Sequence, residues 1–313
     1  MKSIWTLGEI LVEIMRTEVD KGLETPELFK GPFPSGAPAI FTDTVAKLGV
    51  PAGIIGTVGN DDFGRGIMKR LTADGVDCSC IAESQKVSTA ATFVSYTSSG
   101  DRTFIFHIGN AAAGEIHYPE KMPDNVGIFH VMGCAMLPSD VMCQSVLKAY
   151  EYYYNHGAMI SFDPNVRVES LRGHNLVKVM APILEKTEVF LPGVEEMLAV
   201  CGETDVDTCT EKLFKNPVLK VIVLKNGSKN TRVISRNEDF IVPTCKIHAV
   251  DSTGAGDSFD AGFLTAYQAG KSLKDCVETA SAVAALNCEA FGPMEGIINE
   301  KTVTEMINKN YRG

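Results

Sequence analysis

The chain has 313 residues, 45% of them hydrophobic and 22% charged, ordinary proportions for a globular protein long enough to bury a sizeable core. These values exclude a disordered chain, a collagen and a coiled coil. Twenty-nine Lys and Arg against 39 Asp and Glu leave a net charge of −10. Such an acidic chain is unsuited to gripping nucleic-acid backbone over a broad surface, although a local site can still take a phosphorylated ligand.

Ile4 to Leu11 reads as a first strand. Residues 12–35, rich in Gly, Pro and charge, interrupt the pattern. Ala39 to Leu48 has helical spacing, with Phe41, Val45 and Leu48 on one face and Gly49 as its stop. Ala52 to Val58 reads as a core strand, and Ile67 to Leu71 opens a second helix. Residues 87–108 carry a hairpin signal, Ala91 to Tyr96 and Thr103 to Ile108 around Ser98-Ser99-Gly100-Asp101. Strand and helix then alternate: Gly127 to Met132 with Val141 to Tyr154, Met159 to Phe162, Val189 to Leu191 with a helix from Val194, and Val221 to Leu224.

This order predicts an α/β chain with a mainly parallel sheet and helices on both faces. Hairpins cannot join neighbouring parallel strands. Segments 12–35 and 87–108 are therefore expected to project from the sheet edge as a small β lid on a single domain spanning 1–313. The lid offers Ala91, Phe93, Phe104 and Phe106 for burial, and its outer face is expected to pair in a homodimer.

The nine cysteines are odd in number and form no C-x-x-C pair, so free thiols in a reducing cytoplasm are expected. Gly8, Glu9 and Glu13 interrupt the N-terminal apolar residues, and no apolar run approaches a membrane span, which predicts neither a secretory leader nor a membrane partner. The six histidines show no metal spacing. Gly270-Lys271-Ser272 resembles the end of a P-loop, but Thr265 stands at the required first glycine; Gly270 reads instead as a helix stop. Residues 59–66 lack G-x-G-x-x-G, so a dinucleotide fold is unsupported. Tyr150, Tyr152, Tyr153 and Tyr154 read as a partly buried helix end.

The segment from Val250 to Phe259 carries the chemistry. Gly254, Ala255 and Gly256 have little or no side chain, so their amides can crowd a ligand at the start of a helix that runs on through Tyr267. Unpaired N–H groups and the helix dipole favour an anion there. Asp257, in the first turn, can take a proton from a hydroxyl attacking a phosphate. An N-terminal cap and a tight turn are the plainer account of the same residues.

Here the chain resembles the PfkB/ribokinase family of carbohydrate kinases. Asp251 to Phe259 matches the family's Asp-Thr-x-Gly-Ala-Gly-Asp-x-Phe signature, with Ser252 in the Thr position. Gly31 to Ala39 resembles its Gly-Gly-Ala-Pro-Ala-Asn sugar segment, with Ser35 for the first Gly and Ile40 for the Asn. Gly56 to Gly64 resembles its N-terminal signature, and Phe162 to Arg167 the Asp-Pro-Asn-x-Arg stretch of its fructokinase and keto-deoxy-gluconate kinase branch.

The resemblance implies a ribokinase-like three-layer α/β/α domain with a β lid. It implies ATP and Mg²⁺ as cofactors, with a monovalent cation also used in the family. By analogy Asp257 is the general base, the amides of Gly254, Ala255 and Gly256 form the anion hole, and Arg167 reaches the γ-phosphate or the sugar. Glu13, Gly36, Ala37, Phe104, Phe106 and Asn165 become the sugar contacts, alongside Arg167 and Asp257. Gly193, Lys225, Gly227, Ser228 and Asn287, with Gly254 and Gly256, become nucleotide contacts, and Glu196 acts on Mg²⁺ through water. The plainer alternatives are a surface cation for Arg167, a solvated helix face for Glu196 and a helix-surface amide for Asn287.

The keto-deoxy-gluconate kinases carry Tyr and Arg near the end of the second lid strand, where this chain has Phe106 and His107. The expected activity is thus ATP-dependent phosphorylation of a ketohexose. A keto-deoxy-gluconate kinase, a nucleoside kinase and a catalytically silent binding protein on the same fold are the alternatives.

Overall fold

The computed structural model describes residues 1–98, 102–166, 173 and 175–313. The tip of the 87–108 hairpin and Arg167 lie outside the described residues. The chain opens with β1 (Ser3–Leu7), β2 (Leu11–Arg16) and β3 (Phe29–Ser35), then α1 (Ala37–Lys47), β4 (Ala52–Gly59), α2 (Asp62–Ala73) and β5 (Ile81–Ser84). β6 (Ala90–Tyr96) and β7 (Arg102–His107) follow, then β8 (Val126–Met132), α3 (Asp140–Asn155), β9 (Met159–Asp163) and α4 (Leu176–Lys186). The second half runs β10 (Val189–Phe190), α5 (Val194–Cys201), α6 (Val206–Leu213), β11 (Val221–Asn226), β12 (Asn230–Ser235), β13 (Asp239–Pro243), α7 (Ala255–Gln268), α8 (Leu273–Cys288) and α9 (Glu300–Ile307).

A nine-stranded sheet has the order β13-β12-β11-β10-β9-β8-β1-β4-β5. It is parallel from β5 through β11 and antiparallel only at the β11-β12-β13 edge. A second, four-stranded sheet has the order β3-β2-β6-β7.

Period-2 alternation buries both faces of the large sheet. Ile128 and Met132 of β8, Val189 of β10, and Val221 and Val223 of β11 pack with Phe41 of α1 and Phe259 and Phe263 of α7. Their neighbours Phe129, Val131, Phe190, Ile222 and Leu224 pack on the other face, with Tyr150 and Tyr153 of α3 and Met197 of α5. Tyr150 and Tyr153 are fully buried, and Tyr152 and Tyr154 are half-buried. All nine cysteines are free thiols. Gly270 has φ +75° just beyond α7, and its N–H donates to Tyr267 O, the left-handed stop expected of it. Among the described residues no helix is long and apolar enough to cross a membrane.

Two expectations need correction, and one turn adds a detail of its own. The first strand is two: β1 stops at Leu7, and residues 8–10 carry the chain into the second sheet. That crossing hugs α1 so closely that a Cβ on Gly8 would sit 2.5 Å from Pro38 Cγ. The second helix starts at Asp62, not Ile67, because Asp61 Oδ1 accepts the Gly64 N–H at 2.9 Å and caps a polar, glycine-containing first turn. Finally, Asn226 to Asn230 forms the tight turn of a β11-β12 hairpin. Gly227 supplies the left-handed residue with φ +53°, while Asn230 is ordinary strand.

A polar knot ties α1 to α2 and to residues 294–295. Asp43 is fully buried with Lys47 Nζ 2.7 Å from its Oδ2. Lys47 also donates to Met294 O, and Arg70 pairs with Asp74 and with Glu295. Burial, against the pull of Lys47, pushes the Asp43 carboxyl from 3.8 up to about 7. The folded state thus binds this proton more tightly than the unfolded chain. The resulting stability is full below pH 4 and is lost as pH rises through 7, at roughly 1.4 kcal/mol per pKa unit. Asp43→Asn is expected to flatten that decline, which thermal melts of both proteins between pH 5 and 8 would show; identical pH slopes would refute the assignment.

Candidate active site

Open parallel sheets place ligands beyond the carboxyl ends of their strands. At that edge the turn before α7 is fixed by Gly254, whose φ of +76° favours glycine and whose added Cβ would lie 2.8 Å from Pro293 O. The first-turn amides of a helix have no partner within it; the Ala255 N–H closes the turn onto Ser252 O at 3.2 Å.

Asp251 is the hub of this turn. Its Oδ1 accepts the Thr253 N–H at 2.9 Å and its Oδ2 the Gly292 N–H at 3.0 Å. The Tyr96 hydroxyl, from β6 of the small sheet, lies 3.3 Å from Asp251 Oδ1 and 2.9 Å from Thr253 Oγ1. Burial and the Asp251 charge raise its pKa further above the usual phenol value. Asn287 of α8 is neither a surface amide nor open to solvent: it is buried and donates Nδ2 to Thr253 O at 2.7 Å.

Asp257 is buried in the first turn of α7, and its Oδ1 accepts Asn165 Nδ2 at 2.8 Å. Asn165 is one of the few described non-glycine residues in the left-handed region, with φ +41°. Asp163 Oδ1 stabilises that turn by accepting the Asn165 N–H at 3.1 Å. Asp163 Oδ2 lies 3.0 Å from Lys225 Nζ, which also reaches Asp260 Oδ1 at 3.1 Å. The ammonium that sequence reasoning gave to the nucleotide is thus held between two buried carboxylates.

Burial opposes every charge in this cluster, yet the directions differ. The Lys225 ammonium, with the Asp260 hydrogen bond, outweighs burial at Asp163 and holds its carboxyl below the usual value. At Asp260 burial and the Asp163 charge override Lys225 and push the carboxyl well up. Asp163, Asp260 and Glu196 together keep Lys225 above the ordinary lysine value despite burial. Fully buried His130, stacked on Phe41 and bonded through Nδ1 to Ser161 Oγ, is driven by burial down to about 3 and is neutral.

Over the turn, the small sheet closes a cleft. Register places Glu13, Thr92 and Phe106 in one row across β2, β6 and β7, and all three line it. Gly36, Ala37, Phe104, Gly254 and Asp257 share the lining, so among the described residues those expected at the sugar meet in one place, apart from Asn165, which bonds to Asp257; Arg167 lies outside the described residues. Gly36 has φ +105°, and a Cβ there would come 2.4 Å from Glu9 O.

The cleft also holds residues the sequence reading passed over: Glu9, Thr92, Arg102, Cys134 and Thr253. Glu9 Oε1 accepts the Cys134 thiol at 3.2 Å. The cation missing at Phe106 and His107 is supplied by Arg102 from the start of the same strand.

The expected nucleotide residues lie along the same strand ends. Gly193 ends the β10 connection and caps α5, bridging to Lys225; Gly227 and Ser228 are exposed in the β11-β12 turn. Glu196 accepts the Gly193 N–H at 2.7 Å and the Val166 N–H at 2.8 Å, so it is not a solvated helix face. Burial first, then the Asp163 charge, raises its pKa. Among the described residues no cluster of three metal-ligating side chains exists. Asn165 Oδ1, buried and without a partner, and the Glu196 carboxylate are instead the acceptors beside the 165–166 turn. This arrangement suits an ion carried in largely by its own waters and a polyphosphate.

Comparison with known proteins agrees with this geometry. Residues 1–300 match the model of the pfkB family of carbohydrate kinases. The chain is 29% identical to fructokinase-1 of Oryza sativa subsp. japonica, covering 96% of each chain. It is 26% identical to the 2-dehydro-3-deoxygluconokinase of Bacillus subtilis, covering 97% of this chain and 94% of that one. A solved E. coli protein given the name ribokinase II, in complex with ATP and Mg²⁺, superposes with a TM-score of 0.92 at 36% identity, over 99% of this chain and 100% of that one. The chain belongs to the pfkB family of carbohydrate kinases and, as a member, is an ATP-dependent phosphotransferase acting on a sugar.

Proposed function

We propose that the sugar is a neutral ketohexose, phosphorylated with Asp257 as general base. The observation that carries this reading is the Asp257 carboxylate, one turn into α7, oriented by Asn165 and lining the cleft beneath the small sheet. A sugar hydroxyl in that cleft gives its proton to Asp257 as its oxygen attacks the γ-phosphorus, and ADP leaves. Amides at Gly254 and Gly256 stabilise the charge on the group in transfer, while the Ala255 N–H, expected beside them, is engaged by Ser252 O. Mg²⁺, when bound with ATP, supplies charge neutralisation, and Asn165 and Glu196 are the residues that would hold its water. The ATP and Mg²⁺ of the E. coli structure support this pairing. A monovalent cation remains part of the expectation, to be tested by titration with K⁺.

Asp257→Asn is expected to lower kcat by ~10²–10⁴-fold while leaving the fold intact. Near wild-type turnover would remove Asp257 as the base.

Glu9 and Glu13 are both buried in the cleft, against one guanidinium from Arg102. Their carboxylates can accept hydroxyl protons, whereas a substrate carboxylate beside them meets like charge. Arg102 and the B. subtilis relative favour a second reading, a keto-deoxy sugar acid. Side-by-side kcat/KM for fructose, tagatose and 2-keto-3-deoxygluconate is expected to rank the ketohexoses first; a clear preference for the acid would promote the second reading.

Segments 12–35 and 87–108 act in this proposal as a lid over the sugar on a single domain, in a cytoplasmic protein, which suits nine cysteines outside any disulfide. Ile14, Phe93 and Ile105 form the next row on the opposite face of the small sheet, with Phe29 against Phe93 at 5.9 Å between ring centroids. Phe29 and Ile105 are 36% and 45% exposed, an apolar face that a second copy would cover. Light scattering is expected to show a dimer, and a monomer at all concentrations would discard that part.

A further inference from the structure

We propose that Lys225 is a positioning residue for the general base, acting through Asp163 and Asn165. The inference rests on the reading of Asp257 as that base. Lys225 continues the core-facing stripe of β11 after Val221 and Val223, so its side chain enters the protein on the α7 side rather than reaching outward. There the ammonium makes two contacts that meet at the same catalytic group.

One contact, to Asp260, grips α7 itself. Asp260 lies three residues after Asp257, on the same side of the helix. The other, to Asp163, holds the carboxylate whose second oxygen caps the left-handed turn at Asn165. Asn165 then donates to Asp257 Oδ1. The helix bearing the base and the amide that aims it are therefore anchored to a single, mostly enclosed cation.

Both carboxylates are fully buried, so neither can substitute water for the lost ammonium without opening the core. Removing Lys225 leaves two facing acids, releases the strained turn and lets the Asp257 carboxylate rotate away from the attacking hydroxyl. Lys225 does not line the sugar cleft, and its Nζ is engaged away from the nucleotide turn at 227–228. The signature is hence a loss of turnover without a loss of binding.

The experiment is steady-state kinetics with ATP and the best sugar for wild type, Lys225→Met, Lys225→Arg and, as a control, Asp257→Asn. Lys225→Met is expected to lose ~10–100-fold in kcat, the scale of a misplaced catalytic group, with both KM values changed by less than about threefold. Lys225→Arg, which can still bridge two carboxylates, is expected to recover much of that loss. If Lys225→Met melts below the assay temperature, the same split is read on Lys225→Arg, with kcat reduced severalfold and KM values held.

Wild-type kcat in a folded Lys225→Met, or a rise in KM for ATP that accounts for the loss, overturns the proposal; the second result makes Lys225 a nucleotide contact. Full turnover in Asp257→Asn overturns the base assignment itself, whatever Lys225 does.

Discussion

The turn that opens α7 constrains everything around it. Its left-handed Gly254 leaves no room for a side chain against Pro293, and the first-turn amides that follow lack the helical partners that satisfy the rest of the backbone. The protein solves this by tying the flanking residues from three directions. Asp251 binds the turn to the segment at Gly292, Asn287 holds Thr253 from α8, and Tyr96 reaches down from the second sheet. A loop that presents backbone donors without relaxing needs such external support, because a donor that reorients during the reaction loses much of its electrostatic value.

Beneath the turn the core is polar where an enzyme of this size would usually be apolar. His130, Ser161, Asp163 and Lys225 come from the α7-facing side of β8, β9 and β11 and meet Asp260 there. Replacing such a cluster with hydrocarbon is often neutral or stabilising in other proteins. Its presence under Asp257 is better understood through direction than through stability: charge pairs fix geometry that hydrophobic packing leaves loose.

Much of this was legible in the sequence, and the gaps have physical causes. Small residues from Gly254 to Gly256 followed by Asp257 marked the turn that opens α7, where Gly254 takes the left-handed backbone that favours glycine. The alternation of strand and helix segments marked a parallel sheet covered on both faces. Glu9 escaped notice because it lies in the three residues that cross between sheets, where neither strand nor helix periodicity applies. Arg102 escaped because its place in the cleft depends on β6-β7 register, a long-range fact. Lys225 did carry a local signal, its place two residues after Val223 on a buried stripe, but the family resemblance made it a nucleotide contact instead. Asn287 was read as a nucleotide contact, with an exposed helix amide as the plainer alternative, when its helix is buried nearly all round.

The Tyr96 hydroxyl belongs to the small sheet that roofs the cleft, yet its bonds are made to the turn before α7. Lifting the roof must break them, because a strand cannot move away while its side chain keeps hydrogen-bond distance to a fixed partner. Closure of the small sheet over the cleft and tautness of the turn before α7 are thus one event mechanically, a coincidence detector built from a single phenol.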